Sequence, residues 1–156
     1  MSESAAAPAM KHAFRLELRF DKPLEFPSMS GERGFFRIVE SKVEGERIKG
    51  SIADDGGDWI VFRPDGVVET DSRMMIRTED GVLVYLRSRG VIRARPEQLA
   101  LFKAGKGLEA GEAYYRTAPY FDAPAGSNCE WLTKALFVGS GRFHGDRATL
   151  DIYEVL

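Results

Sequence analysis

The stretch Gly56 to Gly90, GGDWIVFRPDGVVETDSRMMIRTEDGVLVYLRSRG, reads as three consecutive antiparallel strands separated by glycine turns. Pro64-Asp65-Gly66 and Glu79-Asp80-Gly81 each have the chemistry of a three-residue hairpin loop, a type I turn closed by a left-handed glycine. Two such loops set two registers. The first pairs Phe62 with Val68, Ile60 with Thr70 and Trp59 with Asp71. The second pairs Ile76 with Val84, Met75 with Tyr85, Met74 with Leu86, Arg73 with Arg87 and Asp71 with Arg89.

Side chains alternate across a strand, so this register sorts the meander into two unlike faces. Ile60, Phe62, Val68, Met74, Ile76, Val84 and Leu86 form a core face. The opposite face carries Trp59, Asp71 and Arg89 as neighbours in one row, with Arg73, Arg87, Met75 and Tyr85 in adjoining rows. Two readings of that second face stand. It is a solvated surface with an Asp71–Arg89 ion pair, or it borders a concave pocket in which Arg73, Arg87 and Arg89 hold an anionic or carbonyl-bearing ligand between Trp59 and Tyr85. Arg73 opposite Arg87 is a like-charge pair that an anion, a second acid or a partner chain would relieve. Arg116 or Trp131 is expected to join the site from the other half of the fold.

Outward from the meander, His12 to Phe20 alternates strictly, with Phe14, Leu16, Leu18 and Phe20 on one face. Residues 1–11 are expected to be a disordered tail and 12–156 a single domain. Asp21 to Arg33 reads as a loop, Gly34 to Glu40 and Arg47 to Ala53 as strands around a Glu44-Gly45-Glu46 turn, and Glu112 to Asp122 as a strand in which Pro119 marks an edge, a bulge or a bend. Trp131 to Gly139 reads as a strand, Ser140 to Arg147 as a glycine-rich connection and Ala148 to Val155 as the last strand. Pro96 to Lys103 is the one helix, with proline at its first turn, Lys103 in its last and Gly105 as a stop. About nine strands and one short helix make an all-β fold, an antiparallel barrel of the calycin type.

Composition narrows the function. With 156 residues, a 44 % hydrophobic fraction and a net charge of −2, the chain can bury a core and lacks the basic surface of a nucleic-acid or anionic-membrane binder. The lone Cys129 forms no internal disulfide and is read as inert, and the N-terminal residues have no signal-peptide pattern. A cytoplasmic protein is expected, with neither nucleic acid nor membrane as partner. Two histidines, His12 and His144, exclude a multi-histidine metal site, and Ala104-Gly105-Lys106-Gly107 and Gly139-Ser140-Gly141-Arg142 lack the rest of a phosphate-binding or dinucleotide motif. Neither metal nor cofactor is expected.

Gly57-Asp58-Trp59, Asp71-x-Arg73, Asp80-Gly81, Arg89-Gly90, Tyr115-Arg116-Thr117-Ala118-Pro119, Leu136-Phe137-Val138-Gly139 and the closing Tyr153-Glu154-Val155-Leu156 together resemble uncharacterised protein family 0311, also called domain of unknown function 3237. The resemblance implies an antiparallel barrel and carries no assigned activity. Three functional expectations follow from the residues. The first is a binding protein for a small anionic or aromatic ligand, using Trp59, Arg73, Tyr85, Arg87, Arg89, Arg116 and Trp131. The second is a metal-independent isomerase, cyclase or lyase with Asp71 as general base. The third is a structural homo-oligomer in which the polar row is a subunit contact, and a symmetric homo-oligomer is expected whichever of the three holds.

Overall fold

A computed structural model describes residues 4–108 and 113–156. Among them are ten strands: β1 Met10–Phe20, β2 Leu24–Ser28, β3 Gly31–Gly45, β4 Lys49–Ile52, β5 Gly57–Phe62, β6 Val68–Thr78, β7 Leu83–Ala94, β8 Ala113–Asp122, β9 Leu136–His144 and β10 Arg147–Val155. The helix α1, Pro96–Lys103, and a 3₁₀ turn, Glu130–Thr133, complete the elements among the described residues. Residues 1–3 of the expected tail and Glu112, expected to open the strand through Pro119, lie outside the described residues.

The two hairpin loops do what their glycines require. Gly66 and Gly81 sit at φ of 86° and 87°, and the Gly66 and Gly81 amides donate to the Arg63 and Thr78 carbonyls at 3.0 and 2.9 Å. The register follows as read, including Trp59 opposite Asp71, Asp71 opposite Arg89 and Arg73 opposite Arg87. All seven residues of the expected core face are buried.

The sheet closes because β1 pairs with β10 on one side and with β3 on the other. Eight antiparallel strands, β1, β3 and β5 to β10, make the barrel. Two short strands are added to it: β2 on β3, and β4 beyond the start of β5. The place between β3 and β6 is thus filled by two pieces, β5 facing Glu32 to Arg37 and β4 facing Val43 and Glu44, with a break at residues 53–56. Inward Phe14, Leu16, Leu18 and Phe20 of β1 meet the inward residues of the other walls in one core.

Each barrel end has its own plug. At one end Phe102 of α1 packs against Phe62 and Phe143, ring centroids 6.0 and 4.7 Å away. At the other, the 3₁₀ turn and its approach bury Leu132 and Cys129 near Phe121 and Phe137.

Several elements differ from the reading. Asp21 to Arg33 is not all loop, since it contains β2 and the start of β3. β2 is an exposed edge strand that tolerates Pro27 and carries no burial alternation. Gly45 is the last residue of β3 rather than the centre of a turn. Met10 and Lys11 pair with Val155 and Glu154, so the strand begins within the expected tail. Trp131 belongs to the 3₁₀ turn, and the strand starts only at Leu136. Ser140 to His144 continues that strand, because Gly139 and Gly141 make room for neighbours across the wall. A Cβ on Gly141 would stand 2.3 Å from the Tyr115 ring, and one on Gly139 2.1 Å from Thr117 Oγ1.

Candidate functional site

The row expected from the register lies on the outer surface of the barrel. Phe35 of β3 extends it, its ring 4.6 Å from that of Trp59, which is 47 % exposed. In the next row Arg73, Arg87 and Tyr120 stand side by side, and beyond it Met75, Tyr85 and Asp122. Asp71 faces Arg89 in register, yet its ion pair is diagonal, with Arg87 Nε at 3.6 Å from Oδ1. Both side chains of that pair are about two-fifths exposed, which places them among weak surface ion pairs.

Arg116 on β8 is opposite Val91, one row from Arg89. With Arg89, Glu69 and Tyr114 it borders an open groove of about 500 Å³. Its Nη1 donates to the Tyr115 carbonyl at 2.9 Å, and the Tyr114 ring lies beneath Arg93 at 4.3 Å. Trp131 is elsewhere, at the 3₁₀ plug, under the Arg47 guanidinium at 4.0 Å. The fold therefore brings Trp59, Asp71, Arg73, Tyr85, Arg87 and Arg89 together, adds Arg116 at their margin and separates Trp131. They make an outer sheet face, not the lining of the barrel.

The inner face holds a different constellation. Asp58 shares its parity along β5 with Ile60 and Phe62, so the strand that exposes Trp59 turns Asp58 inward, where it is 4 % exposed. Across the wall it is in register with Ser72, then Ser88, then Pro119. These residues, with Phe20 and Tyr115, line an enclosed cavity of about 20 Å³. Asp58 Oδ1 and Ser88 Oγ are buried without a hydrogen-bond partner. Burial pushes the Asp58 carboxyl up to about 7, opposed by the Ser72 hydroxyl and the Asp71 backbone N–H, which favour the ionised form.

Tyr115 is 4 % exposed and stacked on Phe143, centroids 5.1 Å apart and planes within 9°. Burial raises its phenol well above the usual value, and the Asp58 charge raises it further. One layer nearer the α1 end, Thr70, Gly90, Thr117 and Gly139 follow one another around the wall. Thr70 Oγ1 and Thr117 Oγ1 are also buried without partners. Each orphaned group of this kind costs about 1–3 kcal/mol.

At the α1 end the barrel opens into a pocket of about 420 Å³ whose wall is Phe20, Phe36, Phe62, Phe102 and Phe143. Charged Arg19, Asp21, Lys22, Glu25, Lys103 and Asp146 stand around it, three of each sign. Phe20 lines both this mouth and the cavity at Asp58. No cluster of three or more His, Cys, Asp or Glu side chains is placed to share a metal ion among the described residues. Cys129 is buried at the opposite end, and burial raises its thiol. No helix among the described residues is long and apolar enough to cross a membrane.

Asp58, Ser72, Ser88 and Tyr115 were not among the site residues expected from sequence, although Asp58 and Tyr115 lie in two of the motifs that carry the family resemblance. One signal for Asp58 was present: an acid two residues before Ile60 and four before Phe62, in phase with the core face. The serines gave none, because a short hydroxyl side chain fits either face.

Known proteins share this architecture. The UPF0311 protein RPA1785 of Rhodopseudomonas palustris is 33 % identical over 127 residues, 81 % of this chain and 82 % of that protein. Its crystal structure, described as a conserved protein of unknown function, superposes with a TM-score of 0.91 over 97 % of this chain and 100 % of that one, at 29 % identity. A beta-barrel like protein of Acinetobacter baumannii has a TM-score of 0.80 at 24 % identity, over 98 % of this chain and 100 % of that one, a likeness of fold alone. The family described as "Protein of unknown function (DUF3237)" matches residues 8–155, and on that span, with the same closed barrel, the chain belongs to it.

Proposed function

We propose that this protein binds a small, largely aromatic molecule in the barrel mouth beside α1. The observation that carries this reading is the five-phenylalanine pocket with charges only around its opening. Its volume of about 420 Å³ falls within the range of small-molecule sites, and apolar walls with a few placed polar groups are what such sites have in common. Of the three cations at the rim, Arg19 and Lys103 are held by Glu40 and Glu32, at 2.6 and 2.9 Å, which leaves Lys22 to meet an anionic substituent that stays near water. The outer arginine face supports the reading less well, since the groove there reaches Arg89 and Arg116 but neither Trp59 nor Asp71.

Fluorescence titration with 1-anilinonaphthalene-8-sulfonate tests the assignment, because the dye joins an aromatic body to one anionic group. Saturable binding at one site per chain is expected, at least tenfold weaker in Phe36→Glu and unchanged in Arg89→Ala. Loss of binding in Arg89→Ala with Phe36→Glu unaffected would move the site to the outer face and overturn the reading.

A further inference from the structure

We propose that Asp58 is the proton-transfer group of an isomerase site at the floor of the mouth, acting on a small aromatic ketone with an acidic C–H beside its carbonyl. The inference rests on the mouth pocket as binding site and extends it inward. Asp58 lies two inward positions deeper than Phe62, in the wall of a cavity that also contains the Tyr115 side chain and the Ser88 hydroxyl. Its Oδ1 and Ser88 Oγ have no partner in the protein, so the polar capacity at this point is unused by the fold. A buried acid and several orphaned hydroxyls reduce stability, and such a cost concentrates where a site needs those groups.

The chemistry of the lining selects the ligand. No side chain around the cavity is cationic, so a carboxylate or phosphate brought here would meet the Asp58 charge uncompensated. A carbonyl oxygen instead finds hydroxyl donors. The ring system of such a ketone is matched by Phe36, Phe62, Phe102 and Phe143 above it. Between the two spaces stands Phe20, at the end of β1, where the β1–β3 ladder changes register. The cavity itself holds only about 20 Å³, so that ring must turn aside and join the two spaces when the ketone enters.

The step balances without a further reactant. Ionised Asp58 removes the proton from the carbon beside the carbonyl. The C–H electron pair becomes the new C=C bond and the carbonyl π pair moves onto oxygen, where the Tyr115 O–H donates a hydrogen bond to the enolate. The carboxylic acid then returns a proton to that carbon or, in a conjugated ketone, to the vinylogous one. At neutral pH an acid titrating at about 7 serves in both directions.

The test uses the whole protein with 2-tetralone in D2O, following loss of the α C–H signals by proton NMR against buffer alone. Exchange well above buffer is expected, rising with pH through one ionisation near 7. Asp58→Asn should lose it at least a hundredfold. Tyr115→Phe should lower it tenfold or more while keeping the pH midpoint, and Phe20→Ala should raise it or lower the ketone concentration needed. Saturation-transfer NMR on the same samples reports binding separately. Ketone bound by the wild type with no exchange above buffer, or exchange that survives in folded Asp58→Asn, overturns the catalytic inference and leaves the binding site standing. Absence of ketone binding together with absence of dye binding overturns both. A thermal melt of each variant shows that it is folded.

Discussion

Asp58 makes stability depend on pH in a direction opposite to that of an ordinary salt-bridged carboxylate. The unfolded chain releases this proton near 3.8, whereas the folded chain keeps it to about 7. Between those values the native state binds more protons than the unfolded one, so the stabilisation is fully present below the lower value and is lost as pH rises through the upper. Asn keeps the shape without the titration. Each step of one pH between the two values is worth roughly 1.4 kcal/mol. Asp58→Asn is therefore expected to melt within about 2 °C of wild type at pH 4 and on the order of 10–15 °C above it at pH 8. Equal melting temperatures at pH 8 would show that the carboxyl is not desolvated. A second residue-scale expectation concerns Gly141, where a methyl group must displace the Tyr115 ring. Gly141→Ala is expected to cost about 1–3 kcal/mol by chemical denaturation, the usual penalty of overpacking.

Among the elements, those whose boundaries depend on local turn chemistry were legible. Gly66 and Gly81 set the registers of β5, β6 and β7, and Pro96 set the start of α1, because each acts through its own backbone. Gly81 has open space around it, so Gly81→Ala is expected to lose only the left-handed strain, about 1–2 kcal/mol, with the fold retained in circular dichroism. Loss of folding would mean that the loop does more than turn. What was not legible depended on the opposite wall. β9 runs through Gly139 and Gly141 because Thr117 and Tyr115 fill the space, and β2 exists because the edge of β3 accepts it. Neither fact is written in the segment itself. The outer row illustrates the same division, since register places Trp59, Asp71 and Arg89 together but cannot say which side of a closed sheet is inside.

For the whole molecule, closure through β1 leaves an outer surface with unusual aromatic content: Trp59, Tyr85, Tyr114 and Tyr120 are all 38–61 % exposed. A second copy covering this surface would remove it from water, while Asp71 already offsets the Arg73–Arg87 juxtaposition through its ion pair with Arg87. Light scattering at micromolar concentration is expected to give a multiple of 17.4 kDa, reduced by Trp59→Glu. A mass of 17.4 kDa for the wild type would refute the expectation.

The wall position shared by β4 and β5 has a consequence for how protons reach the interior. Seven of the eight staves are continuous, whereas this one is jointed at residues 53–56, tied to its neighbours by the Ile38 amide on the Gly56 carbonyl and the Ala53 amide on the Met75 carbonyl, at 2.9 and 2.7 Å. Asp55 in this joint adopts φ of 71°, a conformation that costs a side-chain-bearing residue energy and favours local opening. Asp58 follows only three residues later. Native-state hydrogen exchange should accordingly find the amides of residues 54–58 among the fastest in the wall and those of β6 and β7 among the slowest. Were this joint to open without breaking the ring, it would vent the buried carboxyl sideways to solvent and let it equilibrate with bulk pH while a ligand filled the mouth.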